Sequence, residues 1–492
     1  MKAGDLVMAV LFVTGLAPVT RAGSPQRIGH TTLLPRHSNP DDRGMYVAAI
    51  DPASGYAYFV GAYLFKLDIT GDLPVPVGPA LDTGQFAEGA IDPSAGYLYL
   101  PKGAIYRYAL GAGANAVSNA GSFTVGAGNA VALAIDDADP NPTNHYAYVL
   151  CASSGTPGTV VKVALATFAE VGSVTFSAGE SNFVFGTVVD VPHGYAYYLA
   201  RAAGIPQVVK VKFTPGTNAP VRIGAAALDT TNVFIDGASI DPVHGYAYYG
   251  TYDSDTNIPG KVYKVMLGDG DVAPAVIGHV DLQPGEGRLA ASVVDPQGGY
   301  VYFADDNTYP GHVYQLGLNG TNLPVEIGPL QLQGGPPGPY PTNGVTAANT
   351  TTNSDGVLPF GEVFFRSAAF DPVRGCAYFG QDSRPNQVVK VKLAKDPQIT
   401  ALTADGTITW NNCETNDYYG IEWVWNLQDS WMAVGTNSAF WNLQATQAVT
   451  SVSLPSLPSL WAQAQTLATN AGDSVQGLFF RVVSSPKTLT PP

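Results

Sequence analysis

Seven times along this chain an Asp, usually followed by Pro, leads through a short turn, Gly-containing in six copies, into a strand that reads Tyr-x-Tyr in six copies and Cys376-Ala377-Tyr378 in the last. The copies start at Asp51, Asp92, Asp136, Asp190, Asp241, Asp295 and Asp371. A unit of about 50 residues with β-type alternation and turn residues at fixed offsets is the pattern of a β-propeller blade. Seven copies therefore predict a closed seven-bladed, all-β ring.

Each repeat divides into four short strands. The first is small and apolar and ends on the Asp, as in Gly237-Ala238-Ser239-Ile240-Asp241. A turn leads to the second, Tyr246-Ala247-Tyr248-Tyr249, whose two tyrosines at alternate positions share one face while Ala points to the other. The third carries a cation between apolar residues: Lys66, Arg107, Lys162, Lys210, Lys264 and Lys390, with Gln315 in blade six. A cation repeated in a buried strand needs a partner, expected to be the blade Asp or a Tyr ring. The fourth strand centres on a Gly: Gly29, Gly78, Gly121, Gly172, Gly224, Gly278 and Gly328. Gly29 precedes any complete repeat, and no fourth strand follows Val391-Lys392-Leu393. Residues 26–34 are thus expected to supply the outer strand of blade seven, tying the ends of the ring together and covering a sheet edge.

The segments outside the ring read differently. Lys2, the apolar run Leu6–Leu16 and Thr20-Arg21-Ala22 follow the three-part plan of an export signal, so residues 1–22 are expected to be removed near Ala22. The propeller is assigned to 23–396. All six tryptophans lie beyond it, and 397–492 is expected to be a small Trp-rich β-sandwich-like domain, with a short helix within Ser456–Asn470. The net charge of −15 with no Lys/Arg run disfavours nucleic acid and anionic membrane surfaces. No later stretch reaches about 18 apolar residues, so no membrane insertion is expected. Cys151, Cys376 and Cys413 have neither disulfide nor metal spacing.

The repeat Asp looks chemical, but Asp before Pro caps turns, and seven copies at one register mark a building element. Asp253-Ser254-Asp255-Thr256-Asn257 and Asp137, Asp139, Asn141 resemble the start of a calcium loop without its Gly and Glu. Both are read as solvated turns, and neither metal nor cofactor is expected. Loop lengths say more. The Asp-to-Tyr spacing is five residues in six blades and ten in blade three, whereas the path from fourth-strand Gly to the next Asp runs from 14 to 43 residues. Variable loops on a rigid scaffold carry function, so the working face is the one bearing the loops that lead into the first strands. There the insertion Gln333–Gly361 is either a recognition loop or a structureless excursion. Glu88, Asn129, Asp236, Arg288 and Arg366, just ahead of innermost strands, are the candidate ligand-binding residues at the pore mouth. No catalytic motif is present.

The Asp-Pro-x-x-Gly-Tyr-Ala-Tyr and Pro-Gly-x-Val-x-Lys-Val pattern resembles secreted bacterial propellers of the YVTN/NHL-like, WD40-type superfamily over 26–393. That resemblance implies a binding or surface-associated scaffold, although the superfamily includes hydrolases and lyases. The expected function is an exported, non-catalytic scaffold that is monomeric, secreted or held at the cell surface or periplasm, and recognises a protein or glycan. The alternative is a hydrolase or lyase acting on carbohydrate or peptide at the pore mouth.

Overall fold

The computed structural model describes residues 25–33, 44–333 and 362–394, except 85, 87, 154, 182–185, 230–233, 254–257, 307, 309 and 383–385; beyond these it describes 398–402, 407–411, 418–424, 432–433, 443–444, 449–453, 463, 466 and 479–485. The expected export signal, Cys413 and the body of the 333–361 insertion lie outside the described residues. The chain divides into two compact units, the larger spanning Gln26–Pro296 and Tyr300–Leu393, the smaller containing Ala394–Pro492.

Seven antiparallel sheets form the larger unit, ordered from first strand to fourth, six of them each built from one repeat. Innermost strands of successive blades lie side by side, and that of blade seven (Phe365–Asp371) lies against that of blade one (Val47–Asp51), so the ring closes. In blade seven the strand Gln26–Thr32 pairs with Gln387–Lys392 in the fourth-strand position, from Gln26 opposite Lys392 to Thr32 opposite Gln387. Of the expected 26–34, Leu33 lies just past the strand, and residue 34 lies outside the described residues. The repeat Asp carboxylates cap the turn that follows: Asp371 Oδ1 accepts the Val373 and Arg374 amides at 3.0 and 3.1 Å, and Asp241 Oδ1 accepts that of His244 at 3.1 Å.

The third-strand cations explain how blades adhere. Lys210 Nζ is fully buried, 4.0 Å from the centre of the Tyr195 ring, and donates to four carbonyls in blade five: Leu267 (3.1 Å), Gly268 (2.6 Å), Gly270 (2.7 Å) and Val272 (3.2 Å). Lys66 seats the turn of blade two in the same way through Gly111, Gly113 and Asn115. Lys162 reaches Thr214 and Gly216, Lys264 reaches Gly320 and Asn322, and Lys390 reaches Gly71. Each ammonium thus locks onto the third-to-fourth-strand turn of the next blade. The fourth-strand Gly makes room for that turn: a Cβ on Gly224 would lie 2.6 Å from Ala273 Cβ, and Gly78 meets Ala116 likewise.

A second device pins the outer strands. Two residues before the fourth-strand Gly, Arg222 in blade four and Arg27 in blade seven each clasp a buried carboxylate, Glu180 and Glu362. Those glutamates are held by the amides of Ser177 (2.8 Å) and Gln333 (2.9 Å). Blade six holds Glu286 identically through Gln283 (3.0 Å), but its outer strand presents Glu326, hydrogen-bonded acid to acid. Burial and then Glu286 push the Glu326 carboxyl up to about 7. A raised carboxyl pKa costs stability as pH climbs from the ordinary carboxylate range through that value. Glu326→Arg should therefore stabilise the chain at pH 8 by about 1 kcal/mol, as a partly exposed bidentate pair replaces a like-charge one. Urea midpoints should show that gain vanishing near pH 5; an equal gain at both pH values would refute the pairing.

In the smaller unit, Gln398–Leu402, Thr407–Asn411 and Val449–Ser453 form one sheet, with Trp410 and Ile408 fully buried. Tyr418–Val424 centres a second sheet, pairing along its length with Phe479–Ser485. Gln463 and Thr466 have helical backbone.

Candidate functional site

Along the innermost strand of blade five, Asp236, Ala238 and Ile240 are partly exposed while their neighbours are buried. Arg366, Ala368 and Phe370 repeat this in blade seven. One face of these strands therefore looks into the axial channel. The channel is graded: charged side chains at the variable-loop end, Ala, Ser and Thr in the middle, and Ile50, Ile240 and Phe370 next to the constant turns. At the charged end lies a cavity of about 180 Å³ lined by Tyr46, Glu88, Thr187, Asp236, Ser292 and Arg366 among smaller residues.

Backbone irregularity aims the charges. Pairing of first and second strands slips by one residue between Ile235 and Gly237 and between Phe365 and Ser367, leaving Asp236 and Arg366 as the extra residue of a β-bulge. Bulges re-aim side chains in this way, and here they bring two residues from blades five and seven into contact. Arg366 Nη1 donates to Asp236 Oδ2 at 2.9 Å, and Nη2 lies 2.7 Å from Asp306 Oδ2 and 3.1 Å from the Tyr252 hydroxyl. Asp382 Oδ2 lies 3.7 Å from Nε and accepts the Tyr46 hydroxyl at 3.1 Å. Tyr252 also donates to Asp306 Oδ2 at 2.8 Å, and its ring lies 4.8 Å from the guanidinium.

Burial sets the protonation of this cluster. It pushes Asp306 up to about 7, with Asp382 adding to the shift and Arg366 opposing it. It also raises Asp236, against the pull of Arg366, Arg288 and Arg201. Burial disfavours the Arg366 charge, but Asp306, Tyr252, Asp236 and Tyr46 together outweigh it and raise the Arg366 pKa. Across the channel, Glu88 of blade two reaches past blade three, and its Oε1 accepts the amides of Gly186 (2.7 Å) and Thr187 (3.3 Å) in blade four. Burial raises that carboxyl while the Gly186 amide works against the shift.

Of the five expected mouth residues, Glu88, Asp236 and Arg366 share the cavity. Two do not. Arg288 lies over the Tyr252 ring at 4.6 Å and donates to the Asp253 carbonyl at 3.1 Å, so it buttresses the cluster from behind. Asn129 is exposed and its carbonyl accepts the Ala152 amide; it sits in a turn of blade three away from the cavity lining. Sequence reasoning missed Tyr46, Tyr252, Asp306 and Asp382, although the repeat itself contains the signal. Tyr46, Asp236 and Arg366 each stand five residues before their blade Asp, and Arg201, Tyr252, Asp306 and Asp382 each stand eleven after theirs. Among the described residues no three His, Cys, Asp or Glu side chains group as metal ligands. Asp139 Oδ1 accepts the Asn141 amide and Asn141 Oδ1 in turn accepts the Thr143 amide, and burial pushes the Cys151 thiol up to about 12.

No protein-family model matches the chain, and no curated protein does. Among solved structures, the chain is similar to U3-55K, at 13% identity and a TM-score of 0.48 over 75% of this chain and 100% of that one. It is also similar to the WD40 repeats of RRP9, at 12% identity and a TM-score of 0.47 over 75% of this chain and 99% of that one.

Proposed function

We propose that this chain is an exported, non-catalytic binding scaffold that recognises a protein or glycan through the variable-loop face of its propeller. The observation that carries this reading is the pairing of the charged groups at the mouth with partners of the chain itself. Arg366 is engaged by Asp236, Asp306 and Tyr252, and Glu88 by two backbone amides. A general acid or base must face its substrate with a proton free to move. The carboxylates that line the cavity are tied up, and Asp306, whose pKa suits acid–base work, lies behind Arg366 outside the lining. Such a network instead holds the surrounding loops at fixed separation, which is what a recognition surface requires.

The face also offers an anchor of the type interfaces use. Phe234, at the start of the innermost strand of blade five, is 51% exposed with the Arg201 guanidinium 4.5 Å from its ring centre. Val373, 68% exposed, marks the opposite, constant-turn face. The test is capture of extracellular glycans and cell-envelope proteins by the purified exported chain, whose N-terminus is expected just after Ala22. Phe234→Ser should weaken capture at least about tenfold, the loss of one interface hot spot, and Val373→Ser should leave it unchanged. Loss through Val373→Ser alone would move the working surface to the other face, and turnover of a bound glycan or peptide would overturn the non-catalytic reading.

A further inference from the structure

Blade three breaks the repeat at one point, the ten-residue path from Asp136 to Tyr146, and the structure assigns that lengthening a purpose. In other blades the residue before the first Tyr is a glycine in the left-handed region, such as Gly96 at φ 77° and Gly245 at φ 76°. In blade three it is His145 at φ −81°, delivered by a 3-10 turn over Pro142–Asn144 that Asn141 caps. The changed backbone turns the imidazole toward blade two, where it is completely buried. Its Nδ1 lies 2.6 Å from Asp92 Oδ2, and its Nε2 lies 2.6 Å from the Asp139 carbonyl. Both neighbours are acceptors, so only the imidazolium satisfies both ring nitrogens.

This seam also differs from its neighbours in another respect. Where five blades lock onto the next through a lysine, blade two carries Arg107, which donates to the Ala120 carbonyl of its own blade at 3.3 Å. Its guanidinium packs over Phe168 of blade three at 4.4 Å instead of seating a turn. The turn of blade three is too short to offer the carbonyl cradle found elsewhere, since its third strand ends at Ala164 and its fourth begins at Ala169. We propose that His145 and Asp92 form a proton-operated latch between blades two and three, closed while the imidazole is charged and released when it loses its proton.

The latch faces a defined set of charges. Asp92 comes from the innermost strand of blade two, where it also accepts Ser94 Oγ and the Ala95 amide. Asp136 and Asp137 lie on the strand and turn of blade three, with Lys162 near Asp136, and Tyr97 and Tyr99 border Asp92 from blade two, with Arg107 beside Tyr99. Burial works against the charge, but Asp92, the Asp139 carbonyl and Asp137 together raise the His145 pKa. A raised histidine pKa gives stability that is whole below the ordinary value and is lost as pH rises through the folded one. His193 and His244 supply an internal control: they are 60% and 56% exposed, and each pairs with the Asp three residues earlier in its own blade.

The experiment is hydrogen–deuterium exchange on the full chain across pH 5 to 10, read by mass spectrometry at the His145 imidazole C–H and at backbone amides. The imidazole midpoint should lie above the ordinary value of about 6.5. Once the imidazole is neutral, amides of 92–96 should exchange about tenfold faster relative to those of 190–194, the opening expected from loss of one charged hydrogen bond. In His145→Gln and in Asp92→Asn that pH-dependent acceleration should be absent. An imidazole midpoint at or below the ordinary value in the unsubstituted chain would overturn the latch even if neither variant folds. Acceleration that persists in His145→Gln would overturn it equally.

Discussion

Lys210→Met will lower the stability of the propeller by about 3 kcal/mol, the scale of a buried charged donor whose acceptors are left unmet. Methionine keeps the length and the apolar stem, so the loss isolates the ammonium. Four carbonyls of the blade-five turn lose their donor at once, and the Tyr195 face loses a cation at 4.0 Å. The control is two residues away. Lys212, 39% exposed, pairs with Asp271, 58% exposed, and exposed pairs contribute about 1 kcal/mol or less. Lys212→Met should therefore be close to neutral. Urea unfolding should be followed by far-ultraviolet circular dichroism, because all six tryptophans lie beyond residue 396 and report on the other unit. Equal losses for the two variants would refute the lock.

The lock shows what the repeat did and did not disclose. The third-strand cation, its Tyr ring and the fourth-strand Gly are all regular in the sequence, and the ring contact is where alternation put it. What one repeat cannot reveal is that the ammonium serves the following blade, since its acceptors are backbone carbonyls in a turn more than 50 residues away. The same limit applies at the mouth. Asp236 and Arg366 were legible as polar residues ahead of innermost strands, yet their meeting depends on two bulges that shift register by one residue. Asn129 and Arg288 stand seven residues before their blade Asp rather than five, just ahead of the strands Ala130–Asp136 and Leu289–Asp295, and neither lines the cavity. The offsets of five before and eleven after each blade Asp pick out the cluster once the ring is known to bring those positions together. Blade three's long turn was visible as an irregularity, but its product is a contact between blades.

Removing the guanidinium at the channel mouth should produce the largest loss of all. Arg366→Gln leaves Asp236, Asp306 and Asp382 facing one another without their shared cation. Stripping one partner from a buried ionic cluster costs about 3–5 kcal/mol, and the loss should depend on pH. Asp306 is already pushed up to about 7 and Asp236 is raised with the arginine in place. Without it both shift further, because Arg366 is the main influence holding each of them down. Carboxyls with raised folded pKa values lose stability as pH rises, so the variant should be weakest at pH 8 and recover toward the parent chain near pH 5. Adding Asp306→Asn should recover part of the loss at pH 8, since the amide keeps the Tyr252 hydrogen bond without the charge. Urea unfolding of the single and double variants at both pH values checks this, and a loss independent of pH would mean that Arg366 acts through packing on Tyr46 and Tyr252 rather than by charge. The mouth is a scaffold held by charge only if acid rescues it.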